Sequence, residues 1–197
     1  MSWEERWQEG DTPWDAGGPS PAIVAVADSL PLGRALVPGC GSGHDVFALA
    51  SPDRHVTGLD VAPSARARFD AERKAAGVSS AHASLVIGDF FEDDWRADRE
   101  PFDLVWDYTF LCAIDPARRD AWAQRMAALV KPEGMLAALI FPVFDAPPDY
   151  EGPPWPLDPD AIVALVDGPF RLESLERMTK SRPERQGKEW LGLFVRI

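Results

Sequence analysis

The chain has 197 residues, 46% hydrophobic and 26% charged, with 8 Trp and 10 Phe. This is the make-up of an ordinary globular domain that buries about 70% of its unfolded surface, and it excludes disorder and a scaffold stapled by two cysteines. No apolar run approaches the roughly 18 residues of a membrane span. With 32 acidic against 20 basic residues the net charge is −12, which repels phosphate backbones and anionic lipid, so neither nucleic acid nor membrane is expected as a partner. Met1-Ser2-Trp3-Glu4-Glu5 has no basic stretch followed by an apolar one, so no secretory signal is read there. Cys40 and Cys112 then read as reduced, small buried residues of a cytoplasmic monomer.

In chain order, Trp3 and Trp7 stand one helical turn apart, and Thr12-Pro13 breaks that helix just before Trp14. Pro21 to Ser29 reads as a helix with Ile23, Val26 and Ala27 inward, and Arg34 to Val37 as a short strand ending at Pro38-Gly39. A helix over 45–50 follows a glycine-rich turn, then a strand from His55 to Asp60. The stretch Ser64 to Ala76, with Pro63 before it and Gly77 after it, is helical. Strands are predicted at Ala83–Ile87, Phe102–Trp106 and Met135–Phe141. Between the last two, Asp115-Pro116 opens a helix that Lys131-Pro132-Glu133-Gly134 ends, with Trp122, Met126, Leu129 and Val130 on one face. Asp158-Pro159 opens a last helix, and Phe170–Arg177 and Glu189–Ile197 read as an antiparallel pair of strands.

Strands that are apolar on both faces and alternate with helices mean an α/β fold: a three-layer sandwich on a mostly parallel seven-stranded sheet with an antiparallel C-terminal strand, in one domain. Ligands bind such sheets at the carboxyl ends of the strands. The long proline-rich connection from Pro142 to Pro159 has the length of a functional loop.

The chemistry-bearing residues sit at those ends. Gly39-Cys40-Gly41-Ser42-Gly43 places three glycines in five positions, which lets the backbone turn sharply and approach a ligand closely. A dinucleotide fingerprint needs its third glycine at position 44, which is His44; the frame favours the turn of a methyl-donor site over one for NAD, although such a turn alone is also a plain tight turn. Asp60 lies 19 residues after Gly41, where an acid accepts hydrogen bonds from both ribose hydroxyls of an adenosine; a strand-end cap is the other reading. Asp89-Phe90 ends the third strand, and an acid followed by an aromatic suits the amine and ring of adenine. Trp106-Asp107-Tyr108 ends the fourth.

These segments, together with Trp3-x3-Trp7-x6-Trp14-Asp15, Asp107-Tyr-Thr-Phe and Gly152-Pro-Pro-Trp155, resemble the S-adenosylmethionine-dependent methyltransferases of the Rossmann-like class. More narrowly they are similar to the thiopurine methyltransferase superfamily and its halide and thiol methyltransferases, over nearly the whole chain. The resemblance implies S-adenosyl-L-methionine as cofactor, no metal, and a pocket using Trp3, Trp7, Trp14, Gly39, Cys40, Gly41, Asp60, Asp89, Phe90 and Tyr108. It implies Trp14, Tyr108 and Trp155 on the acceptor, and residues 1–20 as a lid whose indoles attract the donor's sulfonium; without the resemblance, the Trp stripe reads as core packing. The sequence departs from the family pattern at Phe144–Glu151 and at Trp155, where a Tyr is expected.

No general base is evident: His55 and His82 stand at strand beginnings and His44 behind the glycine turn. That suits an acceptor already anionic, such as halide, thiocyanate or hydrosulfide, activated by dehydration and alignment. Larger thiols, selenium or tellurium compounds, and donor binding without turnover are the alternatives. Arg182, Arg185 and Lys188 could help attract the anion, but such charges are more often solvated surface ones.

Overall fold

The computed structural model describes residues 1–96, 100–147 and 149–197. The chain forms two compact units, Met1–Glu100 and Pro101–Ile197. The N-terminal unit contains α1 (Trp3–Glu9), α2 (Pro21–Val26), β1 (Gly33–Pro38), α3 (His44–Leu49), β2 (Arg54–Asp60), α4 (Ala65–Ala75) and β3 (Ala83–Ile87). The C-terminal unit contains β4 (Phe102–Tyr108), α5 (Arg119–Leu129), β5 (Val130–Ile140), α6 (Pro159–Val166), β6 (Phe170–Arg177) and β7 (Trp190–Arg196).

In the first unit β1 pairs with β2, and β2 with β3, all parallel. In the second, β4 and β5 are parallel, while β7 runs antiparallel to both β5 and β6. The strand order is β3-β2-β1-β4-β5-β7-β6, the expected mixed Rossmann-like sheet with an antiparallel β7.

Local chemistry accounts for the boundaries. Ser20 caps α2 through the Ile23 N–H and Pro21 supplies the first turn, and Asp158 with Pro159 does the same for α6. Gly77, at φ 68°, follows the end of α4, and Arg73 and Lys74 in its last turn complement the helix dipole. Each unit has its own apolar core: Leu36, Leu49, Leu59 and Phe69 in the first, Trp106, Trp122, Met126 and Phe194 in the second, all buried.

Two expectations are corrected. The helix at the N-terminus ends at Glu9 with Gly10 in the left-handed conformation, ahead of Thr12-Pro13, because glycine adopts that cap without a Cβ penalty. The run Lys131-Pro132-Glu133-Gly134 is not a helix end followed by a loop: β5 already begins at Val130. Its register against β4 shifts between Phe102 and Leu104, and Glu133 sits at φ 61°, so the proline, which cannot donate to the ladder, lies in an irregular stretch of the strand. A Cβ at Gly134 would lie 2.9 Å from the Lys131 carbonyl oxygen, which is why a glycine is needed there.

Among the described residues, no helix is long and apolar enough to cross a membrane, and no group of three or more His, Cys, Asp or Glu side chains could hold a metal ion.

Candidate active site

In the N-terminal unit the glycine turn leaves β1 and enters α3. Gly39, Gly41 and Gly43 have φ of 58°, 52° and 83°, the left-handed region that other residues enter at a cost of about 1–2 kcal/mol. A Cβ at Gly43 would lie 2.4 Å from the Phe69 ring, so this glycine serves packing as well as the turn. Cys40 ties the turn to β2 by donating its N–H to the Leu59 carbonyl. Its thiol turns inward: a Cβ at Gly58 would come within 2.6 Å of the sulfur. Burial, then the charge of Asp60, pushes that thiol's pKa well above the ordinary value, so Cys40 is a neutral packing group and only its backbone lines the turn.

Asp60 is buried at the end of β2. Its Oδ2 accepts the Gly41 N–H at 2.9 Å and its Oδ1 the Ala62 N–H at 2.9 Å. Burial raises its pKa while these backbone donors pull against the rise. A carboxylate has about four acceptor positions, so these bonds leave part of its capacity unused. Asp89, at the end of β3, is exposed and accepts the Phe91 N–H at 2.9 Å. Phe90 beside it is buried.

The N-terminal segment reaches onto this turn at two places and onto the start of α4 at a third. Glu4 accepts the N–H and hydroxyl of Ser64, at 3.0 and 2.5 Å. The Trp7 ring would lie 3.4 Å from a Cβ on Gly41. Asp15 accepts the Ser42 hydroxyl at 2.5 Å and faces His44 Nε2 at 3.1 Å. Burial works to raise the Asp15 pKa, but the bonds from Ser42 and Gly17 and the His44 imidazole hold it below the usual value. The helix α1 buries no residue, and Trp3, Trp7 and Trp14 are all half-buried. Trp14 packs edge-on against Trp3 at 5.2 Å and Trp7 at 6.1 Å. Arg6, which sequence reasoning passed over, stands 4.6 Å over Trp14 and 5.7 Å from Trp3, so a cation from the chain itself lies against those two indoles.

In the C-terminal unit, β4 ends at Tyr108. Asp107 is buried and accepts the Leu111 N–H at 3.1 Å and the Trp122 indole N–H at 2.8 Å. Burial pushes its pKa up to about 6. Thr109 has φ 60° and its hydroxyl donates to the Tyr108 carbonyl at 2.6 Å. This left-handed residue is a local strain of the kind that marks functional turns, and it explains why the Asp-Tyr-Thr-Phe segment is distinctive.

The Tyr108 hydroxyl donates to Glu189 Oε1 at 2.6 Å and accepts from the Arg185 guanidinium. Arg185 lies 4.6 Å over Phe141 and 5.3 Å from the Tyr108 ring. It is buried, 9% exposed, which corrects its reading as a solvated charge; Lys188 is exposed and Arg182 half-buried. Glu189 is 0% exposed and its Oε2 has no hydrogen-bond partner among the described residues. Burial raises the Tyr108 pKa above the phenol value, so the hydroxyl keeps its proton. Cys112 is buried, and its thiol is pushed up to about 12, mainly by that burial.

The proline-rich loop is fastened within the same unit. Trp155 donates its N–H to the Cys112 carbonyl at 2.7 Å, Val143 to that of Lys188 at 3.0 Å, and Arg119 to that of Pro156 at 3.0 Å. The Trp155 ring covers Gly152, where a Cβ would lie 2.5 Å away. Pro148 of this loop lies outside the described residues. Arg185 was read as a surface charge and Glu189 was missed because both sit in a charged stretch that looks like surface, and the hint for the second was Glu189 opening an otherwise apolar strand.

The model of the thiopurine S-methyltransferase family matches residues 1–194. The chain is 46% identical to thiocyanate methyltransferase 1 of Arabidopsis thaliana, over 99% of this chain and 84% of that protein. It is 45% identical to a probable thiol methyltransferase 2 of the same plant, over 91% and 84%. Among solved structures, a TehB-like SAM-dependent methyltransferase from Corynebacterium glutamicum superposes with a TM-score of 0.62 at 17% identity, covering 98% of this chain and 94% of that one, and this likeness speaks for the fold. With the family model matching residues 1–194 and these relatives 45–46% identical over at least 91% of the chain, the chain belongs to the thiopurine S-methyltransferase family.

Proposed function

We propose that the protein methylates small anions and thiols, with S-adenosyl-L-methionine as donor and residues 1–197 acting as one methyltransferase domain. The observation that carries this reading is Arg185: a buried guanidinium on the Tyr108 hydroxyl and the Phe141 face, in a protein whose net charge is −12. A cation with little water around it attracts an anion far more strongly than a surface lysine does, and it can replace part of the hydration that a halide or thiolate gives up. Relatives named for thiocyanate and thiol methylation, at 46% and 45% identity, support the same class of acceptor.

The N-terminal unit fits the nucleoside end of the donor. The Gly39 and Gly41 backbones form a cradle without side chains, Asp60 has acceptor positions left for ribose hydroxyls, and Asp89 and Phe90 serve the adenine. When bound, the donor supplies an electrophilic methyl group on a sulfonium. Trp7, against Gly41, is the indole of the lid nearest the turn, and residues 1–20 exclude water. Tyr108 contacts the acceptor, as does Trp155 from the proline-rich loop; Trp3 and Trp14 complete the lid with Arg6. Nothing in this reading needs a second copy, so a cytoplasmic monomer is expected, and light scattering on the purified protein checks its mass.

The test is headspace gas chromatography of the protein with S-adenosyl-L-methionine and, in turn, iodide, bromide, thiocyanate and hydrosulfide. The corresponding volatile methyl compounds are expected. Donor binding with no product from any acceptor would leave a binding protein and sink the proposal.

A further inference from the structure

A halide carries no proton, so its methylation leaves the Glu189 carboxylate behind Tyr108 without a role. We propose that Glu189, acting through the Tyr108 hydroxyl, takes up the proton of a neutral thiol and so extends this site from anions to protonated thiols. The inference rests on the acceptor reading above.

Three observations point to it. Tyr108, at the carboxyl end of β4, donates to Glu189 Oε1 at 2.6 Å while accepting from Arg185, so its oxygen is placed to receive one proton as it passes another on. Glu189 is 0% exposed and its Oε2 is buried with no partner among the described residues. A buried oxygen without a partner carries a desolvation cost, so it is an open acceptor position beside Tyr108. Arg185, over the faces of Phe141 and Tyr108, then faces the thiolate left behind.

The step balances. The thiol S–H bond breaks and its proton goes to the Tyr108 oxygen, while the original Tyr108 proton goes to Glu189. The electron pair left on sulfur forms the new bond to the methyl carbon, and the methyl–sulfonium pair leaves on the donor's sulfur. The groups facing Glu189 are Tyr108 from β4 and Arg185 from the short helical turn Pro183–Arg185, while β6 is followed by Met178, which donates its backbone N–H to the Glu189 carbonyl. Cys112, whose pKa feels Arg185 and Asp107, lies beyond them. Glu189 is a positioning and proton-storing residue and does not touch the acceptor.

Glu189→Gln retains the acceptor oxygen for Tyr108 but cannot store the proton. The experiment follows turnover of 2-mercaptoethanol and of iodide from pH 6 to 9. Well below the thiol pKa the thiolate fraction rises tenfold per pH unit, so the variant's thiol rate should rise about 100-fold from pH 6 to 8, against about threefold in the parent. Iodide profiles should have the same shape in both proteins. Independently of turnover, infrared difference spectra of the protein with S-adenosylhomocysteine should show a protonated-carboxyl band on adding thiol, present in the parent and absent in Glu189→Gln. Should that variant fail to fold, the infrared spectra of the parent alone decide: a protonated-carboxyl band on adding thiol supports the proposal and its absence overturns it. Superimposable thiol profiles in parent and variant, with no carboxyl band, overturn the proposal while leaving iodide methylation standing. Loss of iodide methylation in the parent itself overturns the underlying acceptor reading instead.

Discussion

The glycine turn and the Tyr108 cluster solve opposite problems. At the turn, Asp60, Asp15 and Glu4 are each met by N–H or hydroxyl donors from neighbouring segments. The charge is neutralised by many small dipoles and the geometry is set before any ligand arrives. At the cluster, one arginine, one phenol and one carboxylate meet in a buried place, and a carboxylate oxygen is left bare. A satisfied network holds a ligand in one pose, whereas an unsatisfied one retains free energy that chemistry can release.

The comparison breaks most readily at Arg185. Arg185→Ala leaves the buried Glu189 charge without its nearby cation, and breaking a buried charge network typically costs about 3–5 kcal/mol. A melting temperature lower by about 10 °C is expected in a thermal scan, together with a loss of iodide turnover that exceeds any loss of donor binding. A neutral result would mean that the cluster is as well satisfied as the turn.

Asp60→Ala tests the other region. It removes two backbone hydrogen bonds and the ribose acceptor, and should weaken donor binding by about 1.5–3 kcal/mol, the worth of hydrogen bonds to a charged group. Titration calorimetry with S-adenosylhomocysteine measures it, and an unchanged affinity would remove Asp60 from the donor site.

Trp14→Ala sharpens the boundary between lid and core. The indole is half-buried and touches Trp3, Trp7 and Arg6, so denaturant melts should show well under the roughly 3–5 kcal/mol of a core Trp truncation. Turnover should fall further than stability, since an open lid admits water. A core-sized loss of stability would make residues 1–20 part of the fold and not a lid.

The smallest expected effect is that of pH on iodide. Burial raises the pKa of Asp107 to about 6. Its folded value lies above the unfolded one of about 3.9, so protonation favours the folded form, and that stabilisation is lost as pH rises through about 6. The Trp122 indole proton should report this midpoint by NMR. Above it, from about pH 7 to 9, iodide turnover should stay flat because no base is required. An inflection near pH 8 would mean that a titrating group serves the halide as well as the thiol.

Much of the glycine-turn region was legible because its signals are local. A glycine turn after one strand and an acid ending the next meet through backbone N–H groups whose positions follow from parallel pairing of β1 with β2. The caps Ser20 and Asp158 likewise lie beside the helices they start. The sequence determined these elements, the mixed α/β sheet and the family, since periodicity, turn chemistry and motif spacing act over a few residues. Only the tertiary structure decided what the charges do. Arg185 and Glu189 reach Tyr108 across 77 and 81 residues, Arg6 takes the Trp14 face, and β5 begins at Val130 where a helix end was expected. Whether a charged side chain is solvated or buried depends on which partners pack around it, and no pattern along the chain encodes that, because its free energy is set by the dielectric and donors that distant strands bring together.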